Sequence, residues 1–539
     1  MNCRSRIELF CRSEAGEHGR VRAPCGEAPC TSPSAPLPAA FADSGRVKWQ
    51  RSWGVPYAAP PFGPRRLLPP EPPQPWTGVR DAFVPGPSAP QPGYLPAMTG
   101  LLEEAVAPDE DCLNLNVWTP APGRTGGRLP VMVWIHGGAF RNGSGAWPSY
   151  DGARLAADGV VCVTLNYRLG AEGFLLLPDS SSNLGLLDQI AALEWVRDNI
   201  AGFGGDPDNV TVFGQSAGAI SITALMTMPQ AQGLFRRAIT QSGAGHHSHP
   251  EHIARRVTER MAALAGAEPT RESLAAVPFE RLIAADAALG QEIAQATDLT
   301  QWGESVGGGT TVLPVVDGVT LPQRPIDALA DGAGRDIDLL TGTTSDEFRL
   351  FLVPLGIGPR ITDQVLHGFL TGFGLDPVEA CKAYAYPGAT PGDLLSEVMT
   401  DYAYRIPALR VAEARAAHGA ETFVYEFAWP SPALDGALGA CHMAEIGFVF
   451  GNLAHPLAGP DAPQGLSDRV REAWSSFART GRPTAARPPG GGLPHWPAYA
   501  GRRSVMRLDD GAASIVLEDP AADRRRLWDT LREAVPGGA

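Results

Sequence analysis

Two serines in the chain lie between glycines at the spacing that can present a nucleophile. The pattern G-x-S-x-G occurs as GQSAG at residues 214–218 and as GESVG at residues 303–307. A serine hydroxyl attacks a carbonyl carbon when a strained turn exposes its oxygen and a neighbouring base takes its proton. Because 62 of the 539 residues are glycine, such a pentapeptide can arise by chance. The flanking elements must decide between the two serines.

The flanks favour Ser216 over Ser305. A nucleophile elbow needs a buried strand that runs directly into a helix. The β-branched run NVTVF at 209–213 predicts the strand, and AGAISITALMTM from residue 217 predicts the helix. Ser305 is followed by GGGTTVLPVVDG, whose glycines and prolines argue against a helix of useful length. We therefore interpret Ser305 as a loop residue.

A glycine turn after another strand offers hydrogen-bond donors for a developing negative charge. The segment WIHGGAF at 134–140 follows the apolar run VMVWI. Its small residues let the backbone N–H groups of Gly138 and Ala139 approach a substrate, together with the N–H group of Ala217 at the start of the predicted helix. Such donors stabilise the tetrahedral intermediate of acyl transfer. Without the elbow, an ordinary glycine turn would be the preferred interpretation.

Apolar runs typical of strands alternate with helical patterns through the middle of the chain. LNLNVW at 113, PVMVWIH at 130 and VVCVTLNY at 160 predict strands, and a helix is predicted near 185–200. This alternation predicts an α/β fold, in which helices cover both faces of the sheet. No repeat of 20 to 50 residues is present, which excludes solenoids and propellers.

The composition excludes several function classes. With 44 Lys and Arg against 58 Asp and Glu, the net charge of -14 would repel both a nucleic-acid backbone and an anionic membrane surface. No apolar run approaches the roughly 18 residues of a membrane span. The N-terminal twenty residues lack the apolar core of a secretory signal. We therefore expect a cytoplasmic protein that neither binds nucleic acid nor crosses a membrane.

The N-terminal segment differs in composition from the rest of the chain. Residues 1–45 are rich in Pro, Ala, Ser, Arg and Cys without helical or strand periodicity, which predicts a disordered leader before a single domain at 46–535. Four of the eight cysteines lie in the first thirty residues, and the others are scattered. No paired C-x-x-C spacing is present, so reduced thiols are favoured over a zinc site.

Longer stretches of the chain resemble the type B carboxylesterases, a family that includes bacterial and liver carboxylesterases and cholinesterases. The resemblance spans roughly residues 50–530, and the block at 183–219 is close to diagnostic on its own. Its pieces include GVPYAAPP (54–61), EDCLNLNVW (110–118), WIHGGAF (134–140), NLGLLDQIAALEWVRDNIAGFGGDPDNVTVFGQSAGA (183–219), GTTSDEF (342–348) and GACHMAEIGFVFGN (439–452).

The resemblance implies both a fold and a reaction. The fold is the α/β-hydrolase fold, with a central, mostly parallel sheet flanked by helices and large helical insertions that form an active-site gorge. The reaction is the hydrolysis of carboxylic esters of small neutral substrates through an acyl-enzyme, with no cofactor and no metal. The implied partners are a small-molecule ester and water, and both a monomer and a homodimer remain open.

Carried over position by position, the resemblance assigns the catalytic groups. The nucleophile falls on Ser216, the acid on Glu347 of SDEF and the base on His442 of GACHMAE, in the chain order expected for this fold. His442 would take the serine proton, and Glu347 would fix the imidazole tautomer. Asp346 remains a less favoured acid. The resemblance also suggests that Ser242 of QSG hydrogen-bonds within the catalytic network.

Other positions carry weaker expectations. The resemblance suggests that Arg168 pairs with Asp188. The histidine cluster GHHSHPEH at 245–252 could hold a metal, but a loop beside the acyl pocket is the favoured interpretation. Cys112 has no upstream partner in residues 88–98 and should be free.

The chain also departs from the family pattern. The usual Glu before the nucleophile is Gln215, and the usual Gly after the acid is Phe348, which could restrict Glu347. The early Arg-Phe pair of the family reads Arg66-Leu67. The segment that carries the choline-binding tryptophan in cholinesterases contains no Trp here, so neutral esters are expected rather than choline esters.

Two alternative functions compete with ester hydrolysis. A non-catalytic binding module is disfavoured because Ser216, Glu347 and His442 are all retained. A carbamate or aryl-amide hydrolase with the same triad stays open, since pocket shape sets the choice of leaving group.

Overall fold

The structure is a computed structural model that describes most of the chain from residue 50 to residue 534. Its gaps are residues 79, 105–107, 125, 297–298, 306–309, 486–490 and 511–513. Before residue 50 it describes three short strands, β1 (Leu9–Arg12), β2 (His18–Arg20) and β3 (Ala35–Leu37), in the order β2-β1-β3. The other residues of the expected leader lie outside the described residues, so its disorder stays a prediction.

A ten-stranded sheet forms the centre of the fold. The strands of this sheet are β4 (Gln50–Pro56), β5 (Asn114–Thr119), β6 (Leu129–Ile135), β7 (Val161–Leu165), β8 (Gly205–Gln215), β9 (Arg237–Gln241), β12 (Asp338–Thr344), β13 (Thr422–Phe427), β14 (Ser504–Leu508) and β15 (Ile515–Glu518). Their order across the sheet is β15-β14-β13-β12-β9-β8-β6-β7-β5-β4. A separate two-stranded pair joins β10 (His249–Pro250) and β11 (Val315–Val316).

The inner strands of this sheet run parallel and its edges are antiparallel. The six neighbouring pairs from β7 through β14 are parallel. The pairs β4–β5, β5–β7 and β14–β15 are antiparallel. Parallel strands need helical crossovers that cover both faces of a sheet. The mostly parallel sheet predicted from the sequence is confirmed.

Strand β6 shows how the sequence builds a core on each face of the sheet. Val131, Val133 and Ile135 belong to one buried apolar cluster, whereas Met132 and Trp134 belong to another. Successive side chains of a strand point to opposite faces. A continuous apolar run is therefore what a strand buried on both faces requires.

Helices surround the sheet. The predicted helices near 185–200 and after Ser216 are observed at Leu184–Asn199 and Ala217–Leu225. The other α-helices of the described residues include Ala153–Ala157, Gly170–Phe174, Glu251–Ala265, Arg271–Ala275, Phe279–Gln295, Leu299–Trp302, Pro325–Ala330, Arg349–Leu352, Asp363–Gly372, Pro377–Tyr384, Pro391–Thr400, Ile406–Ala416, Ile446–Phe450, Gln464–Thr480 and Ala522–Ala534, and a π-helix spans Asp401–Arg405.

Two large helical insertions interrupt the alternation of strand and helix. The first lies between β9 and β12, and the second lies between β12 and β13. Both insertions begin just after the carboxyl ends of parallel strands. Ligands of open α/β sheets bind at these strand ends.

The expected ion pair between Arg168 and Asp188 is present and fully buried. Arg168 Nη2 donates to Asp188 Oδ1 at 2.7 Å, and Nε donates to Oδ2 at 2.8 Å. This bidentate geometry satisfies both charges away from water. It fixes the helix Leu184–Asn199 to the segment that follows β7.

Two further expectations concern a free thiol at Cys112 and the absence of a membrane-spanning segment. Cys112 is buried and free, as expected, and Cys162, Cys381 and Cys441 are free as well. Within the described ranges, no helix combines the length and the apolar character needed to span a bilayer.

Candidate active site

Ser216 lies on a strained turn between strand β8 and the helix Ala217–Leu225. Its backbone has φ 55° and ψ −123°, a conformation that costs a non-glycine residue free energy and clusters at functional sites. The backbone N–H of Ser216 donates to Gln241 O at 2.8 Å, which ties the turn to strand β9. The Ser216 side chain remains partly exposed. The strand, turn and helix expected for a nucleophile elbow are present.

The glycine two residues after Ser216 is required by close packing. A Cβ atom at Gly218 would lie 1.9 Å from Ile135 O in strand β6. No side chain can occupy that space without displacing the backbone of β6. The second glycine of the pentapeptide therefore allows the elbow to pack tightly against the neighbouring strand.

His442 and Glu347 meet in the hydrogen bond expected of a base and its acid. His442 Nδ1 lies 2.6 Å from Glu347 Oε2, and Glu347 Oε1 accepts from the N–H of Thr344 at 2.8 Å. The backbone N–H of His442 also donates to Glu347 O at 3.2 Å. Because Nδ1 faces a carboxylate, the neutral imidazole carries its proton on Nδ1. Its Nε2 is then free to accept a proton.

The neighbouring carboxylate Asp346 is bound elsewhere. Its Oδ2 accepts from the N–H of Ala440 at 3.0 Å and from Ser345 Oγ at 2.8 Å. Its Oδ1 pairs with Arg349 Nε at 3.3 Å. These contacts orient Asp346 toward the loop before His442 and not toward the imidazole. The geometry therefore favours Glu347 over Asp346 as the partner of His442.

The second ring nitrogen of His442 contacts a residue whose role the sequence did not reveal. The side-chain Nε2 of Gln215 lies 2.9 Å from His442 Nε2. Ser216 makes no side-chain hydrogen bond in the part of the chain that the structure describes. Catalytic hydrogen bonds often tighten only when substrate is bound. The sequence identified Gln215 only as a departure from the family pattern.

The expected oxyanion loop has unusual backbone geometry. Gly138, Ala139 and Phe140 have φ values of 114°, 55° and 57°. The N–H groups of Gly138, Ala139 and Ala217 donate to no protein acceptor among the described residues. Gly138 and Ala139 are also partly exposed. Unpaired, accessible N–H donors beside a nucleophile are the arrangement that stabilises a negatively charged oxygen.

Contacts from outside the sheet hold this loop in place. Arg141 Nε bonds Asp286 Oδ2 in the helix Phe279–Gln295, and Asp286 Oδ1 accepts from Thr311 Oγ1. Gly143 exchanges two hydrogen bonds with the side chain of Gln91, at 2.7 and 2.9 Å. A helix of the first insertion is thereby connected to the strained loop.

Ser305, the second serine of the pentapeptide pattern, lies in a different environment. It is fully buried, and its Oγ lies 2.8 Å from His249 Nε2. Burial lowers the pKa of His249 to about 3, which keeps its ring neutral. A serine without solvent access cannot reach an ester substrate. Ser305 itself is helical, so its interpretation as a loop residue was wrong. The two serines differ in exposure and in hydrogen-bond partner, which their flanks did not indicate.

Two of the four histidines in the cluster at 245–252, His247 and His249, are buried, whereas His252 is exposed. Burial lowers the pKa of His247 to about 4, and His249 bonds Ser305 as described. Among the residues that the structure describes, no group of three or more His, Cys, Asp or Glu side chains lies close enough together to hold a metal ion.

Ser242 differs from its expected arrangement. It lies at the end of strand β9 with φ 53°, and its N–H donates to Gly342 O at 2.8 Å. Its Oγ is buried without a hydrogen-bond partner in the described part of the chain. The side-chain hydrogen bond to the catalytic network that the resemblance suggested is therefore not formed in this structure.

A further buried carboxyl lies near the site and was not anticipated. Glu445 Oε1 accepts from Gln241 Nε2 at 3.0 Å, and the residue is 1 % exposed. Burial, and then the nearby charge of Glu347, raises the pKa of Glu445 to about 8. In the sequence, Glu445 directly precedes the apolar run IGFVF, and this position could have indicated a buried carboxyl.

The sheet, the serine elbow and the histidine–carboxylate pair define the chain as an α/β-hydrolase. The sequence model of the Carboxylesterase family matches residues 44–369 and 386–523. The chain therefore belongs to the carboxylesterase family and is a carboxylic ester hydrolase.

Similar proteins agree with this assignment. The chain is 40% identical to the para-nitrobenzyl esterase of Bacillus subtilis (strain 168) over 497 residues, which cover 90% of this chain and 95% of that protein. It is 38% identical to the phenmedipham hydrolase of Pseudarthrobacter oxydans over 491 residues, which cover 88% of this chain and 92% of that protein. The solved structure of the Geobacillus stearothermophilus carboxylesterase EST55 at pH 6.2 matches with a TM-score of 0.76 at 40% identity, and the match covers 89% of this chain and 96% of that one.

Proposed function

We propose that Ser216 is the nucleophile of this esterase, His442 its general base and Glu347 the acid that orients the base. The observation that carries the assignment is the 2.6 Å contact between His442 Nδ1 and Glu347 Oε2. This contact leaves the opposite ring nitrogen facing the last residue before the strained serine. The N–H groups of Gly138, Ala139 and Ala217 form the oxyanion hole.

The reaction proceeds in two acyl transfers. Ser216 Oγ attacks the ester carbonyl carbon while its proton passes to His442 Nε2, and the carbonyl oxygen becomes an oxyanion. The C–O bond to the alcohol then breaks, and the alcohol leaves with the proton from His442. Water, deprotonated by His442, attacks the acyl-enzyme next. Collapse of the second intermediate returns the proton to Ser216 and releases the carboxylic acid.

We propose small neutral esters as substrates, with Ser242 in a supporting position beside the elbow. The segments 88–108 and 244–252 contain no tryptophan, and a quaternary ammonium group is best bound by aromatic faces. Activated esters of short and medium acyl chains, such as p-nitrophenyl acetate and butyrate, fit an acyl site of this kind. Choline esters lack a recognisable binding site in these segments.

Carbamate hydrolysis is a second candidate, supported by the phenmedipham hydrolase relative. The same triad can attack a carbamate carbonyl, since the surrounding pocket decides which leaving group is accepted. Attack by Ser216 with His442 as base is the same for carboxylic esters and for carbamates.

A substrate panel tests these proposals on one purified sample. We expect p-nitrophenyl butyrate to be hydrolysed with the highest kcat/KM, a phenyl carbamate more slowly, and butyrylcholine hardly at all. A kcat/KM for the carbamate above that for the ester would make carbamate hydrolysis the preferred function. Faster turnover of butyrylcholine than of p-nitrophenyl butyrate would contradict the assignment of neutral substrates.

We also propose that the protein resides in the cytoplasm. The supporting observation is that Cys112, Cys162 and Cys441 are buried, free thiols, as is usual in a reducing compartment. Fractionation of the producing cells, with the esterase assayed beside a cytoplasmic marker enzyme, tests this location. Esterase activity in the extracellular fraction without the marker would contradict it.

A further inference from the structure

The side-chain amide of Gln215 occupies the nitrogen of His442 that must accept the serine proton. Gln215 is the last residue of strand β8 and is 1 % exposed, and His442 is 4 % exposed. Their Nε2 atoms lie 2.9 Å apart. Neither side chain can exchange this contact for water without a local movement.

The chemistry of the two groups restricts when this contact can exist. An amide NH₂ group only donates, so the imidazole Nε2 must offer a lone pair. That lone pair is present in the neutral imidazole, whose proton lies on Nδ1 against Glu347. Once Nε2 carries a proton, two donors face each other. The amide must then move away or turn its Oε1 toward the ring.

We propose that Gln215 is a positioning residue that stabilises the neutral, Nδ1-protonated form of His442 and releases Nε2 as Ser216 transfers its proton. The inference rests on the proposed roles of Ser216 and His442. It makes Gln215 a competitor of Ser216 for the base in the resting enzyme.

Other groups face His442 and stay in place when residue 215 is changed. Glu347 binds Nδ1, and the ring of Tyr404 lies 4.8 Å from the imidazole, centroid to centroid. The ring of Phe351 lies at 5.3 Å on another side. Asp346 is bound to Ala440, and Glu445 acts on Glu347 from the segment after His442. A change confined to residue 215 therefore tests the contact to Nε2.

The test is the pH dependence of kcat/KM for p-nitrophenyl butyrate in Gln215→Met and Gln215→Glu. Methionine keeps the length of the side chain but cannot donate, so the neutral imidazole loses a hydrogen bond. We expect the midpoint of the acid limb to rise by about half a pH unit, the equivalent of a weak net hydrogen bond. Glutamate accepts from the protonated ring and should raise the midpoint by about one unit or more.

Gln189→Met is the matched control. Gln189 is also a buried glutamine, and its Nε2 donates to Ser221 Oγ at 3.1 Å, without contact to His442. Loss of the bond between Gln189 and Ser221 should leave the midpoint of the acid limb at its wild-type value. The control therefore distinguishes the loss of any buried hydrogen bond from the loss of the bond between Gln215 and His442.

The predicted order of midpoints is wild type, then Gln215→Met, then Gln215→Glu. Coinciding midpoints in wild type and Gln215→Glu would overturn the inference, even if Gln215→Met failed to fold. Ser216→Ala, assayed alongside, separates this result from a failure of the proposed function. Full activity in Ser216→Ala overturns the catalytic assignment itself, whereas an inactive Ser216→Ala with unmoved midpoints overturns only the role of Gln215.

Discussion

Glu347 and Asp346 are adjacent carboxylates, but only Glu347 bonds the imidazole of His442. We expect Glu347→Gln to lower kcat by about 10⁴-fold, because an amide no longer holds the ring in the required tautomer. Asp346→Asn should lower kcat less than about tenfold, through displacement of the loop before His442. Steady-state kinetics with p-nitrophenyl butyrate measures both, and equal losses in the two variants would contradict the assignment.

Glu445 makes stability depend on pH. Its pKa is raised to about 8 by burial, so the folded state binds a proton that the unfolded state releases above about pH 4.5. This contribution to stability is fully present at low pH and is lost as the pH rises toward 8. Glu445→Gln removes the dependence.

The difference in Tm between Glu445→Gln and wild type should therefore shift in favour of the variant between pH 5 and pH 9. Thermal unfolding followed by circular dichroism at both pH values measures this shift. Other titrating groups are common to both proteins and cancel in the difference. A Tm difference that is the same at both pH values would show that Glu445 is already ionised in the folded state at pH 5.

At the residue scale, the sequence predicted only part of this site. The family motifs located Ser216, Glu347 and His442, and the structure brings the last two into contact. The contact between Gln215 and His442 joins residues 227 positions apart, and no local pattern reports such a distance. The burial of Ser305 against His249 could not be predicted either. Glycine-rich flanks do not show which residues pack over a segment.

At the scale of elements, the loop that carries the proposed oxyanion donors Gly138 and Ala139 is bonded to the helix Phe279–Gln295. Three successive residues of the loop have positive φ, and the bond between Arg141 and Asp286 ties the loop to the helix. We expect Asp286→Asn to lower kcat about tenfold with little change in KM, because loosened donors stabilise the transition state less well.

Glu292→Gln is the control on the same helix. Glu292 forms an exposed pair with Arg260, which contributes little to stability, so its kinetics should match the wild type. Equal losses of kcat in Asp286→Asn and Glu292→Gln would show that kcat depends on the helix as a whole and not on its contact with the loop.

Contiguous elements were the most predictable part of the fold. The strand, serine and helix of the elbow follow one another in sequence, so the β-branched run before Ser216 and the proline-free stretch after it were sufficient to predict them. The support of the oxyanion loop was not predictable, since Arg141 and Asp286 are 145 residues apart. Their pairing depends on how the first insertion folds back over the sheet.

At the scale of the whole molecule, the N-terminal segment lies almost entirely outside the match to the family. The family match begins at residue 44, and the large sheet begins at Gln50. We expect removal of residues 1–45 to leave kcat/KM unchanged and Tm within about 2 °C of the full chain, because terminal segments whose sequence lacks periodic apolar residues contribute little. Differential scanning calorimetry and ester hydrolysis on both proteins check this, and a large drop in Tm would mean that the segment packs on the sheet.

The identity of the nucleophile is the central claim, and covalent labelling tests it most directly. A p-nitrophenyl phosphonate transfers its phosphonyl group to an activated serine, and mass spectrometry of the digested protein locates the added mass. We predict one adduct, on the peptide that carries Ser216, in the wild type and in Ser305→Ala. Ser216→Ala should show no adduct and should lose about 10⁶-fold in kcat. An adduct on Ser305, or undiminished labelling and turnover in Ser216→Ala, would contradict the assignment.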